Sequence, residues 1–314
     1  MEYLIWLKRE QDLTTKITER EDSMADRALG IDVSLWQDNN STPQMVDFSK
    51  AKLAGASFAF IKASQGLYLD PDFVMNWQNA GTSGILRGVY HYLDFKTKPS
   101  NKTANQWAID QAVFYWGVVK NLQLNFPPVC DYENAGTLPA ATVRTAFKNF
   151  LESFYSLSGI RCIIYTSSGF WGSYGSTDQY WTQYPVWWAQ YYYQTVPANP
   201  NLKSPFTTWK FWQYTDKGDG KKYGCESTYV DLNYFNGTVA DLYAYANLPQ
   251  PEPVDPNKAA RLDELERLQK YVDQRRVEVG PLTDPSDTVK GSRINELDRI
   301  QLYRTVRQAE VNAS

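Results

Sequence analysis

A single histidine, His91, stands among the 314 residues, with three cysteines, Cys130, Cys162 and Cys225. The lone histidine excludes a metal centre built on several imidazoles. A Ser-His-Asp triad would have to rest on His91 alone. The cysteines are odd in number and their spacings fit no metal-site pattern, so they read as small buried apolar residues in a reducing compartment. Long apolar runs are missing as well: none reaches 18 residues, and no membrane insertion is expected. The net charge of −3 gives no bulk attraction to nucleic acid or anionic lipid. The opening "MEYLIWLKRE" places acid before a short apolar run with no small-residue cleavage site close by, so no secretory signal is expected. Nothing in these patterns calls for a metal or an organic cofactor.

What the chain has in quantity is aromatic rings: 11 Trp, 22 Tyr and 14 Phe. Tyr and Trp need partners for their polar ends, so some rings must line surfaces rather than fill core. Sugar clefts and protein interfaces both use such rings. Along the chain, residues 1–28 are charged and lack Gly and Pro until the barrel begins, and read as a helical arm. Residues 29–247 are rich in aromatic and β-branched residues. Residues 248–256 belong to the stretch "NLPQPEPVDPN", four prolines among eleven residues, which reads as a stiff extended linker. Residues 257–314 then carry 21 charges among 58 residues. Here "RLDELERLQKY" (261–271) repeats as "RINELDRIQLY" (293–303) at an offset of 32. Leu262, Leu265, Leu268 and Ile294, Leu297, Ile300 recur at helical spacing, and a turn-forming "VGPLTDPSDTVKGS" separates them. The pattern predicts a hairpin of two related amphipathic helices, free to pack on itself, the barrel, the N-terminal arm or another subunit.

Within the middle region, strand candidates centre near 32, 61, 90, 131, 163, 188, 212 and 231. Several are continuous apolar runs, as expected when both faces are covered. The first five lie about 29 to 41 residues apart, with a helical pattern in each gap, such as Val143, Phe147, Phe150, Leu151 and Phe154. The last gaps shrink to about 19 to 25 residues and hold turn residues instead. The count predicts an α/β fold, an eight-stranded modified TIM barrel regular in its first five units and stripped of helices in its last three.

Catalytic groups of a parallel barrel sit at the C-terminal ends of its strands. Asp32, Asp131, Glu133 and Asp231 follow short apolar runs and are expected there. Asp131 and Glu133, in "PPVCDYENAG", have period-2 spacing and share a face roughly 6–7 Å apart. Two carboxyls that close in a pocket push one pKa up and leave the other ionised, which is what glycoside hydrolysis requires. Singly, each acid reads more readily as structural, capping a helix or starting an Asx turn. Four at four strand ends favour function. Tyr90, His91, Tyr92, Tyr165, Trp187, Trp188, Tyr191, Trp212 and Tyr214 surround them. His91 reads as a hydrogen-bonded core residue, and either it or Tyr90 and Tyr92 face inward.

The ordered motifs "GIDVSLWQ", "FAFIKASQG", "RGVYHYL", "VCDYEN", "IIYTSSGFW", "VWWAQY", "FWQYTDKG" and "VDLNYF" resemble glycoside hydrolase family 25, the Chalaropsis-type lysozymes, over about residues 29–240. The resemblance implies a (β/α)5β3 barrel, a bacterial peptidoglycan substrate and hydrolysis of the β-1,4 bond between N-acetylmuramic acid and N-acetylglucosamine. It implies Glu133 as general acid/base and Asp131 as the residue that orients the 2-acetamido group or stabilises developing positive charge. Asp32 and Asp231 would tune the pair, and Tyr90, Tyr165, Trp188 and Gln213 would bind substrate. A retaining, substrate-assisted route is implied. The chain departs from the family at Gln65, where "KATEG" in many members carries an acid. The competing reading is a wall-binding or structural barrel without turnover, which would usually have lost Glu133 or Asp131. Wall-cleaving chemistry without a signal points to a phage endolysin or a virion-borne enzyme, in the host cytoplasm before release or carried on the virion. Residues 1–28 and 257–314 would then serve self-association or a virion partner.

Overall fold

The computed structural model describes residues 26–38, 46–249, 258–281, 284 and 286–313. The expected N-terminal arm (1–28) therefore lies outside the described residues except at its end, as does almost all of the linker 248–256. The chain divides into two compact units after Leu248.

The first unit is a closed barrel. Its strands are β1 (Arg27–Val33), β2 (Ala56–Gln65), β4 (Leu86–Tyr92), β5 (Val129–Asp131), β6 (Ile163–Ser167), β7 (Val186–Ala189), β8 (Phe211–Asp219) and β9 (Tyr229–Thr238), with a two-residue arm β3 (Tyr68–Leu69) on β2. Pairing runs β1-β9-β8-β7-β6-β5-β4-β2, and β1 pairs with β2 to close the ring. Helices α1 (Phe48–Leu53), α2 (Phe73–Ser83), α3 (Ala104–Val119), α4 (Ala140–Ser158) and α5 (Ser168–Tyr174) occupy the first five gaps. No α-helix lies between β7 and β9, and α6 (Val239–Tyr245) follows β9. The architecture is the modified (β/α)5β3 barrel that the spacing predicts. Its first strand starts at Arg27, two residues inside the stretch assigned to the arm.

One expectation needs correction. Apart from the short arm β3, the strands from β1 to β8 run parallel, but β9 is antiparallel to both β8 and β1. Asp231, the third residue of β9, therefore sits near the start of its strand. It reaches the same barrel mouth because the strand points the other way.

Side-chain alternation gives two apolar layers. Phe58, Phe60, Phe126, Val129, Ile163, Trp187, Phe211 and Phe235 point into the barrel. Phe60 stacks on Trp187 at 4.5 Å between centroids, and Phe58 packs on Phe211 at 5.2 Å. Room for these rings comes from Gly30 and Gly88, where a Cβ would lie 2.4 Å from Phe58 and Phe60 respectively. The opposite strand faces, including Ile61, Val89, Cys130, Ile164, Trp188 and Trp212, meet Trp107, Tyr115, Phe147, Phe150 and Phe154 of the helices. Within α4 the buried residues are Val143, Ala146, Phe147, Phe150, Leu151 and Phe154, the stripe that the 3.6-residue period marks. Gly159, at φ 70°, ends that helix in the left-handed region and donates its N–H to Tyr155 O at 2.8 Å.

The second unit is a helical hairpin, α7 (Lys258–Val279) and α8 (Thr288–Ala313). The repeat mates Leu265 and Leu297 are both buried in its seam, with Val272. Arg276 pairs with Asp298 at 2.6 Å, and Arg304 Nε donates to Leu265 O at 3.2 Å. Gly280, at φ 68°, closes α7. Among the described residues no helix is long and apolar enough to cross a membrane.

Candidate active site

The strand ends at the barrel mouth surround a groove of about 340 Å³. Asp32 enters it from β1, Lys62 from β2, Tyr90 and Tyr92 from β4, Asp131 from β5, Tyr165 from β6, Trp187 from β7, Gln213 from β8 and Asp231 from β9. Glu133 follows β5 by two residues, and Ser34, Trp36, Gln37 and Tyr191 complete the rim. All four acids singled out by the sequence converge here. Tyr90, Tyr165 and Gln213 also line the groove.

Trp188 does not. It is 0% exposed on the outer face of β7, packed edge-on against Phe206 at 6.1 Å in the layer beneath the helices. The neighbouring Trp187 lines the groove instead. Both faces of β7 are apolar, so the alternation that normally orients a strand carries no signal there. The register Tyr165↔Trp187 between β6 and β7 fixes the orientation.

Around "VCDYEN" the alternation is regular. Val129 points into the barrel, Cys130 beneath the helices, and Asp131 back into the groove. Tyr132 turns outward and stacks on Phe147 at 3.9 Å, which pins the strand exit. Glu133 lies open to the groove, whereas Asp131 is 5% exposed. Burial, then the adjacent Glu133 charge, pushes Asp131 well above the usual carboxylate range; Lys62 opposes this. Crowding by protein, then the Asp32 charge, raises Glu133 to about 7. Water in the open groove screens part of that effect until a substrate displaces it. Two interacting carboxyls titrate as a pair, and this pair retains a proton near neutrality. Asp131 Oδ1 is buried and has no hydrogen-bond partner among the described residues.

Asp32 and Asp231 are directly opposed in the antiparallel β1–β9 register. Burial raises Asp32 to about 6, offset by hydrogen bonds from Asn233 and Gln213. Burial and then the Asp32 charge raise Asp231 to about 9. Asn233 Nδ2 donates to Asp32 Oδ2 at 2.8 Å, and Gln213 Nε2 donates to the same oxygen at 2.9 Å. Tyr165 and Tyr191 hydroxyls each donate to Gln213 Oε1 at 2.7 Å, and Trp187 Nε1 donates to Asn233 Oδ1 at 2.8 Å.

Lys62 is the cation of this groove. Its Nζ donates to Gln65 Oε1 at 2.7 Å and lies 5.1 Å from the Tyr92 ring; burial lowers its pKa while Asp70, Asp131, Glu133 and Asp94 oppose the shift. Gln65, at the position of the family's acid, bridges Lys62 to Asp94, donating to Asp94 Oδ2 at 3.1 Å. His91 faces away from the groove. It sits between Ser64 Oγ (2.9 Å, Nδ1) and Gln111 Oε1 (3.3 Å, Nε2), stacked near Tyr115 and Phe150, and burial lowers its pKa to about 3. It is a neutral core residue, and Tyr90 and Tyr92 are the inward pair.

Sequence reasoning missed Lys62, Asn233, Trp36 and the choice of Trp187. Lys62 and Asn233 lie inside quoted motifs; Asn233 shares the parity of Asp231 on β9, which is a signal, whereas β2 carries none of the four acids and gives none for Lys62. Among the described residues no group of three or more His, Cys, Asp or Glu side chains is arranged to hold a metal ion.

The family described as Glycosyl hydrolases family 25 matches residues 31–222. The uncharacterized protein YegX of Escherichia coli K12 is 34% identical over 219 residues, covering 69% of this chain and 73% of its own. Lysozyme M1 of Streptomyces globisporus is 33% identical over 248 residues, 76% of this chain and 78% of the relative. The crystal structure of a bacterial lysozyme from Streptomyces coelicolor superimposes with a TM-score of 0.58 at 31% identity, over 70% of this chain and 97% of that one.

Proposed function

Because the chain belongs to glycosyl hydrolases family 25, and is thus a glycoside hydrolase, we propose that it is a peptidoglycan muramidase that cleaves the β-1,4 bond between N-acetylmuramic acid and N-acetylglucosamine. One observation carries the reading: four carboxyls, from β1, β9, β5 and the residues just beyond β5, meet in one groove, and the one open to that groove, Glu133, is raised into the range of a general acid.

Glu133 delivers its proton to the glycosidic oxygen, because it reaches the groove while Asp131 lies deeper. Asp131, which lines the groove, accepts the N–H of the 2-acetamido group through its carboxylate. That hydrogen bond favours the ionised form of Asp131 and sends the shared proton of the pair to Glu133. Substrate binding therefore assigns the proton. The oriented acetamido carbonyl oxygen attacks the anomeric carbon as the leaving group departs, and the Asp131 anion stabilises the oxazolinium cation. Glu133, now a carboxylate, activates the water that opens the ring, so configuration is retained. Tyr90, Tyr165, Trp187 and Gln213 shape the subsite in which this occurs, with Trp36, 73% exposed, at the rim.

The test is digestion of purified cell walls followed by mass spectrometry of the fragments. New reducing ends on N-acetylmuramic acid support the reading, and reducing ends on N-acetylglucosamine contradict it. The reading extends to delivery: a phage-encoded enzyme that reaches the wall from the host cytoplasm or on the virion, with residues 257–314 as an assembly element. Light scattering after size exclusion tests that element. A strict monomer that binds walls through 257–314 opposes it.

A further inference from the structure

Two aspartates in direct cross-strand opposition at one barrel mouth, Asp32 buried and Asp231 partly so, cannot both be charged at low cost. Something must decide which keeps the proton, and the hydrogen-bond directions around Asp32 supply the answer. An indole N–H can only donate. Trp187 Nε1, 2.8 Å from the side chain of Asn233, therefore fixes the amide oxygen toward the indole and the NH₂ toward Asp32. Asn233 is 0% exposed. Gln213 Nε2 reaches the same oxygen of Asp32 while the Tyr165 and Tyr191 hydroxyls donate to its Oε1, so two amide donors land on one oxygen of Asp32.

We propose that Asn233, locked by the Trp187 indole, is a positioning residue that keeps Asp32 ionised and leaves the proton of the Asp32/Asp231 pair on Asp231. Two N–H donors favour the charged form of the carboxyl they reach. The Asp32 charge in turn faces Glu133 across the groove and holds the acid protonated; this second step rests on the assignment of Glu133 as general acid. Other charged groups surround the site, and Asp70 acts on Lys62 and Tyr90. Asp216 and Lys217 on β8 face Asp231, and their effects on it oppose each other. Asp131 on β5 repels, and Lys62 on β2 is the cation that faces the Asp131–Glu133 pair. None of these donates to Asp32 Oδ2. Asp231, neutral, is then a hydrogen-bond donor toward the sugar, where a second anion would be an acceptor only.

The experiment is a ¹³C-carboxyl NMR titration of aspartate-labelled full-length protein, with resonances assigned through Asp32→Asn and Asp231→Asn. In the wild type Asp32 titrates below Asp231. The reverse order overturns the proposal, and this reading needs no variant of Asn233 to fold. In Asn233→Leu the Asp32 titration rises by about one to two units, the worth of one hydrogen bond to a charged group. An unchanged Asp32 titration in that variant also overturns it. With less charge on Asp32, Glu133 loses its proton more easily, so the alkaline limb of the kcat/KM profile moves to lower pH. The titrations are read without turnover. If Glu133→Gln proves as active as wild type, the Glu133 assignment fails while the order of Asp32 and Asp231 still decides the proposal.

Discussion

The Asp32/Asp231 opposition makes a stability prediction that can be worked from the register. Directly opposed residues of an antiparallel pair have Cβ atoms about 4.5–5.5 Å apart. Two full charges at about 5 Å and an effective dielectric of about 20 repel by about 3 kcal/mol. Asp231 is raised to about 9 in the folded barrel, against an unfolded value of about 3.9. The folded state therefore binds a proton that the unfolded chain has released, so stability from this group is fully present below about pH 4 and is lost as pH rises through about 9. Asp231→Asn removes the titrating group and keeps the shape of a neutral carboxylic acid. At about 1.4 kcal/mol per pH unit, the wild type should lose up to about 5 kcal/mol more than the variant between pH 5 and pH 9, with burial and then the Asp32 charge as the causes. At 2–4 °C per kcal/mol for a barrel of this size, the difference in Tm between the two proteins changes by up to about 10–20 °C across that range. Thermal unfolding followed by circular dichroism at both pH values measures it. Parallel Tm–pH curves for wild type and Asp231→Asn would refute the claim that the opposed pair controls its own protonation.

Other outcomes follow from the same geometry. Activity against walls should fall on an alkaline limb near pH 7, where Glu133 loses the proton it must donate, as read from kcat/KM against pH. Lys62→Met removes the cation that lowers both Asp131 and Glu133, so that limb should move to higher pH, opposite in sign to Asn233→Leu. Trp188→Ala should cost about 3–5 kcal/mol in urea unfolding through the cavity it leaves, yet leave KM of the folded enzyme unchanged, since Trp188 lies outside the groove.

Much of this site is legible in the sequence because the acids interrupt short apolar runs, and a carboxyl at such a point must be paired, capped or functional. The helix stripe of Val143, Phe147, Phe150, Leu151 and Phe154 is equally plain, because one face of α4 is covered and the other is wet. What the sequence hides has a common cause. Barrel strands are covered on both faces, so "VWWA" reads the same whichever tryptophan points inward, and the sequence does not separate Trp188 from Trp187. The reversal of β9 is hidden too, since a short connection after β8 suits a hairpin but the apolar run "YV" before Asp231 looks like any strand exit. Asn233 escaped notice because its importance lies in a donor-only partner 46 positions away. Gln65 looked like a loss beside the family's acid; in the structure it joins Lys62 to Asp94 and leaves the groove its cation.

The most direct test of the central claim is the rate of reducing-end release from purified cell walls by wild type and Glu133→Gln, with wall binding and Tm measured in parallel. The account predicts a loss of about 10²–10⁴-fold in the variant, with binding and folding retained. Equal rates for the two proteins, or no release by a folded, wall-bound wild type, would contradict it.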